Sequence, residues 1–115
     1  MQIREIIFTR AMMESPADLE LGETYQAQGR HIPRRVLQAI ESSRLLELEG
    51  AFGDRRASSP VEYDHLTVVT PEREIVIEVY NRGLLLYTTG DETLRRIDRV
   101  IRAILNTMKP EGSEP

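Results

Sequence analysis

The chain has 115 residues, a formal net charge of −4 and no cysteine. That length predicts one domain with one core, and the missing cysteines exclude disulfides, thiolate nucleophiles and Cys-based zinc sites. Hydrophobic residues at 40% and charged residues at 30% are a globular rather than a disordered composition, and the acidic balance argues against nucleic acid as the main partner.

At the start, Arg4 and Glu5 interrupt the apolar run that a secretory leader needs, and Ile6-Ile7-Phe8 is too short to supply it. Nothing approaches the roughly 20 apolar residues of a membrane span. The expectation is a cytoplasmic protein with no membrane partner. Residues 2–10 read as a strand with β-formers on both faces, central or well covered. Residues 14–18 (ESPAD) read as a turn, because Pro fixes φ and Ser and Asp bond back to the backbone. Residues 19–28 then alternate as a half-buried strand, with Gly22 marking a bulge. The two segments predict an antiparallel hairpin.

Pro33 suits a first helical turn, and Val36, Leu37 and Ile40 follow at helical spacing. The period falters at Ser43 and Arg44, so the helix is placed at 33–47, unwinding through Leu45-Leu46-Glu47-Leu48. Residues 49–62, with two Gly, two Ser and a Pro, read as a long loop anchored only by Phe52. Residues 63–70 and 75–80 read as strands joined by a turn at 71–74. A turn at 81–83 and a third strand at 84–89 (LLLYTT) complete an antiparallel meander. Finally, Thr89-Gly90-Asp91-Glu92 matches a capping box, with Asp91 itself a candidate cap. Leu94, Ile97, Ile101, Ile104 and Met108 make one wide apolar stripe, flanked by Val100 and Leu105. Glu92–Arg96 and Asp98–Arg102 stand at favourable i,i+4 spacing. Pro110 stops the helix and 110–115 read as a disordered tail after a single domain at 1–109. The predicted order β-β-α-β-β-β-α implies an α+β fold: a mostly antiparallel sheet of about five strands with two helices packed on one face.

No catalytic pattern emerges. His31 and His65 are more than thirty positions apart, and neither stands at metal-ligand spacing. Residues 50–56 hold two glycines but lack a P-loop ending. Ser58 and Ser59 have no nucleophile elbow around them, and the carboxylates at 72, 74, 91 and 92 are accounted for by turns and capping. No cofactor and no enzyme activity are expected; a small-molecule binder or enzyme using a cleft between sheet and helices is one alternative. Another is nucleic-acid contact through Arg95, Arg99 and Arg102, which share the outer side of the last helix with Arg96. An open sheet edge offers a further route, pairing with a partner or with a second copy as a homodimer.

Within 34–105, a helix is followed by Leu45-Leu46-Glu47-Leu48, a loop with Ser59-Pro60, then Tyr63-Asp64-His65-Leu66-Thr67-Val68, a second strand and a closing amphipathic helix. This succession resembles the emfourin-like protein inhibitors of thermolysin-type metalloproteases. Those inhibitors typically carry Gly-Gly-Phe after the first strand, where this chain has Thr9-Arg10-Ala11-Met12-Met13-Glu14, and no inhibitory residue is carried over. The resemblance implies a non-enzymatic protein-binding domain with a protease as partner. The long loop supplies the candidate contacts Phe52, Asp54, Arg55, Arg56, Ser58 and Ser59.

Overall fold

The computed structural model describes residues 2–15, 18–52 and 61–111. Among the described residues, β1 (Glu5–Ser15), β2 (Asp18–Gln28), β3 (Gly50–Phe52), β4 (Val61–Val69) and β5 (Glu74–Tyr80) form one mixed sheet in the order β2-β1-β4-β5-β3, and three α-helices accompany it. The fold is α+β, as the sequence predicts. The N-terminal hairpin pairs β1 (Glu5–Ser15) with β2 (Asp18–Gln28), so both strands run further into the predicted turn than expected. Between Thr9↔Thr24 and Ala11↔Leu21 the register slips by one residue on β2. Gly22 lies in this bulge because a Cβ there would stand 2.8 Å from the Arg10 carbonyl oxygen.

β1 also pairs antiparallel with β4 (Val61–Val69), which pairs antiparallel with β5 (Glu74–Tyr80). The period-2 pleat sends one residue set inward in cross-sheet rows. Ala27, Ile6, Val68 and Ile75 make one row; Tyr25, Phe8, Leu66 and Ile77 make the next. The Phe8 and Tyr25 rings stand 5.9 Å apart. Onto these rows fold α1 (Arg34–Ser42) and α3 (Glu92–Thr107), through Val36 and Ile40 on one and Leu94, Ile97, Val100, Ile101 and Ile104 on the other. Each such side chain contributes about 1.5–3 kcal/mol by burial.

Three local expectations are corrected. First, residues 84–89 are not a strand: Arg82–Thr89 forms a helix, α2. Asn81 takes a left-handed conformation (φ 54°), its N–H donates to the Glu62 carbonyl, and its Oδ1 accepts from the Glu62 N–H at 3.0 Å. The chain is thereby turned out of the sheet. Leucine is a good helix former, Leu85 and Leu86 pack against the core, and Gly90 (φ 62°) closes the helix. Second, the fifth strand lies in the predicted 49–62 loop. β3 (Gly50–Phe52) pairs parallel to β5, with Phe52 opposite Val79. Third, the predicted 33–47 helix ends at Ser42. Ser43 is buried and its hydroxyl donates to the Ala39 carbonyl at 2.6 Å. Arg44 is left-handed (φ 54°), and a separate 3₁₀ turn at Leu45–Glu47 buries Leu45 completely.

α3 begins as predicted, with the Asp91 side chain accepting from the Leu94 N–H. Arg96 does not join the outer face or pair with Glu92. Its Nε donates to the Ser43 carbonyl at 2.6 Å and its Nη2 to the Arg44 carbonyl at 2.9 Å. It therefore ties α3 to the C-terminal end of α1, where carbonyls lack helical partners.

Candidate functional site

The same pleat that fills the inner face sends the other residue set to the opposite side. There Gln26, Ile7, Thr67 and Val76 form one cross-sheet row, Thr24, Thr9, His65 and Glu78 the next, and Gln28, Glu5, Val69 and Glu74 the one beyond Ile7. Ile7, Val69 and Val76 are only half-buried and stand outside the core cluster. All three described helices contribute to that cluster or pack against it from the other side. The result is a sheet face that no described helix covers, half-exposed at Ile7, Val69 and Val76 and buried at Thr67, Ala11 and Tyr80.

The rim of this face is acidic. Glu5 accepts from the Gln26 and Gln28 side-chain amides at 2.5 and 2.6 Å, and these bonds hold its carboxyl below the usual carboxylate range. Glu78 accepts from the Tyr63 hydroxyl at 2.8 Å, and the Tyr63 ring lies 6.1 Å from that of His65. Glu74 is exposed. None of these three carboxylates pairs with a described Arg or Lys, and no Arg or Lys occupies the three rows.

A second charged cluster lies within the helical layer. Arg82, at the start of α2, donates its Nε to Asp64 of β4 at 2.9 Å and its Nη1 to Asp98 of α3. Asp98 also meets Arg102 at 2.8 Å. Asp64, Arg82 and Asp98 are all buried. Burial pushes the Asp64 carboxyl up, and the Arg82 guanidinium offsets only part of that push. Burial also works against the Arg82 charge, but the two carboxylates outweigh it and lift its pKa further. Among the described residues, no buried side-chain nitrogen or oxygen is left without a partner. The cluster therefore presents no spare group to a ligand: it locks α2 and α3 to the sheet.

The predicted site residues are scattered. Phe52 is half-buried on β3 against the core. Asp54, Arg55, Arg56, Ser58 and Ser59 lie outside the described residues. Arg95, Arg99 and Arg102 are exposed on α3, Arg102 tied to Asp98 and the other two in no ion pair with a described residue. His31 is exposed beside a broad depression of about 410 Å³ lined by Gln26, Ala27, Gln28 and Glu111. His65 stands on the uncovered face, and no group of three described His, Asp or Glu residues is placed to hold a metal ion. The sheet edges are less open than the sequence suggests. β3 is three residues long, and the Glu111 N–H donates to the Thr24 carbonyl on the outer side of β2 at 2.7 Å. Residues 112–115 of the predicted tail lie outside the described residues.

The uncovered face was missed although its signal is present. Ile7 between Ile6 and Phe8 read as a residue covered on both sides, whereas only the even-numbered pair meets the helices. No helix among the described residues is long and apolar enough to cross a membrane. No protein-family model, curated protein or solved structure matches this chain.

Proposed function

We propose that this chain is a non-enzymatic protein-binding domain whose contact surface is the uncovered face of the sheet. The observation that carries this reading is the half-exposed apolar centre of Ile7, Val69 and Val76 on three adjacent strands, ringed by polar groups. An apolar middle with a polar rim is the anatomy of a protein interface. The partner expected from the resemblance is a thermolysin-type metalloprotease, which makes a panel of such proteases the first binding assay.

The test compares partner retention by the full chain and by an Ile7→Lys/Val76→Lys variant that keeps the wild-type far-UV circular dichroism. A stoichiometric partner held by the wild type and lost by this variant is expected. A partner held equally by both, or none across the protease panel and a source lysate, defeats the reading. A second reading rests on Arg95 and Arg99, exposed and in no ion pair with a described residue: contact with nucleic acid along α3. It requires binding that weakens steeply with salt and disappears in an Arg95→Gln/Arg99→Gln/Arg102→Gln variant.

A further inference from the structure

We infer that the partner docked on the uncovered sheet face is a positively charged protein surface, because Glu5, Glu74 and Glu78 ring the apolar centre there and pair with no described cation. This rests on the reading of that face as a protein-binding surface and adds the chemistry of what it binds.

The inference starts from an uneven distribution of charge. The chain carries 15 Lys and Arg residues against 19 Asp and Glu residues, so chance alone would place cations on both sides of the sheet. The pleat instead puts none on the three uncovered rows. The described arginines with assigned partners belong elsewhere. Arg82 and Arg102 serve the buried cluster, Arg96 serves the end of α1, Arg73 donates to the Leu46 carbonyl, Arg10 meets Glu62 and Arg44 meets Glu47. Two of the three rim carboxylates are also held in place by neutral donors, Glu5 by two glutamine amides and Glu78 by a tyrosine hydroxyl. Such donors orient a carboxylate and leave its charge intact.

A second copy is a poor occupant. Two sheet faces stacked on one another would bring the carboxylates of both copies together, and like charges facing across an interface disfavour it. Anionic lipid and nucleic acid are disfavoured for the same reason. A basic protein surface satisfies both features at once: its apolar groups cover Ile7 and Val76, and its Lys or Arg side chains reach the rim. Charge of this kind also steers encounter and makes binding sensitive to salt.

The probes are two synthetic peptides of equal length, one alternating Lys and Val, the other alternating Glu and Val. Each is titrated into the full chain by fluorescence anisotropy at low and at physiological salt. The Lys-Val peptide is expected to bind and to weaken with salt, and the Glu-Val peptide not to bind. A Glu5→Gln/Glu74→Gln/Glu78→Gln variant should lose about tenfold in affinity for the Lys-Val peptide, the sum expected of three exposed ion pairs. A control, Glu41→Gln/Glu47→Gln/Glu92→Gln, makes the same change in net charge at exposed positions in the helical layer and should lose less than twofold. Equal losses in the two variants, or equal binding of the two peptides, overturn the inference. Should a natural partner be lost by Ile7→Lys/Val76→Lys yet be held fully by the face-neutralised variant, the docking surface stands and its cationic chemistry falls. Measurable self-association through the face, abolished by the Ile7 and Val76 changes, also overturns it.

Discussion

Replacing Arg82 with Met tests the buried charge cluster, and the structure states in advance which carboxylate suffers. Asp98 keeps its second cation, since Arg102 remains 2.8 Å away. Asp64 keeps only the weaker pull of Arg10, opposite it on β1; its described hydrogen bond comes from Arg82, and it is 1% exposed. Removing one partner of a buried pair costs about 3–5 kcal/mol, against a total stability of about 5–15 kcal/mol for a domain of this kind. Arg82→Met should therefore remove a large share of the stability at pH 8. The loss should shrink in acid. Burial already places the Asp64 carboxyl above its ordinary value with Arg82 present, so its folded form binds a proton where the unfolded form does not. Stability contributed by such a raised carboxyl falls as pH rises from its unfolded to its folded pKa. Without Arg82 the folded value moves higher and that window widens upward, so Arg82→Met should look milder at pH 4.5 than at pH 8. Adding Asp64→Leu to Arg82→Met removes the orphaned charge and should restore most of the loss, as apolar replacements of buried ion pairs do. Urea unfolding followed by far-UV circular dichroism measures all three variants, and the chain's lack of Trp does not hinder it. A loss below about 1 kcal/mol at pH 8, or one independent of pH, would refute the assignment of Asp64 as a carboxylate dependent on Arg82.

Arg96→Ala frees the Ser43 and Arg44 carbonyls and should cost about 1–3 kcal/mol, read as a fall of several degrees in melting temperature; an unchanged melting point would show those bonds to be dispensable. Asn81→Ala should destabilise more than Asn81→Gly. Both lose the bond to the Glu62 N–H, but only Ala adds the left-handed penalty of about 1–2 kcal/mol at φ 54°; equal urea midpoints would contradict this. Arg44→Gly should stabilise by about 0.5 kcal/mol, since Arg44 occupies the left-handed position after α1 with its side chain exposed. A lowered urea midpoint would show that its contact with Glu47, at 3.7 Å, outweighs the backbone term.

What could be read from the sequence, and what could not, follows from how local each determinant is. α3 was legible because its stripe and its Asp91 cap lie within one continuous segment. The hairpin and the Gly22 bulge were legible for the same reason. Residues 84–89 misled because a run of leucines has no period to read, and their helix is imposed from outside, by the Asn81–Glu62 bonds and by the pull of Asp64 and Asp98 on Arg82. Asp98 was read as a solvated partner of Arg102; the pair exists, but Asp98 sits at the margin of the apolar stripe and is buried. Asp64 gave a usable sign. It alternates with Leu66 and Val68 on the inward register, and an inward carboxylate calls for a cation. Only the fold shows that the cation is Arg82.

The misread segment also decides where this molecule can be approached. Had residues 84–89 extended the meander, β5 would carry a long antiparallel neighbour, and that strand would be an open edge for pairing with another chain. Instead α2 leaves the sheet, and the three residues of β3 take the place beside β5. At the opposite margin the Glu111 N–H occupies the Thr24 carbonyl of β2. The shortness of β3 limits one margin and the Glu111 bond interrupts the other at Thr24, whereas the three outer rows run across β2, β1, β4 and β5. The proposed contact through side chains on the face fits this topology better than backbone pairing at an edge. Substitutions at Ile7, Val76 and the acidic rim should therefore alter partner binding more than a proline placed on β2 where the backbone N–H points away from β1, which leaves the β1–β2 ladder in place.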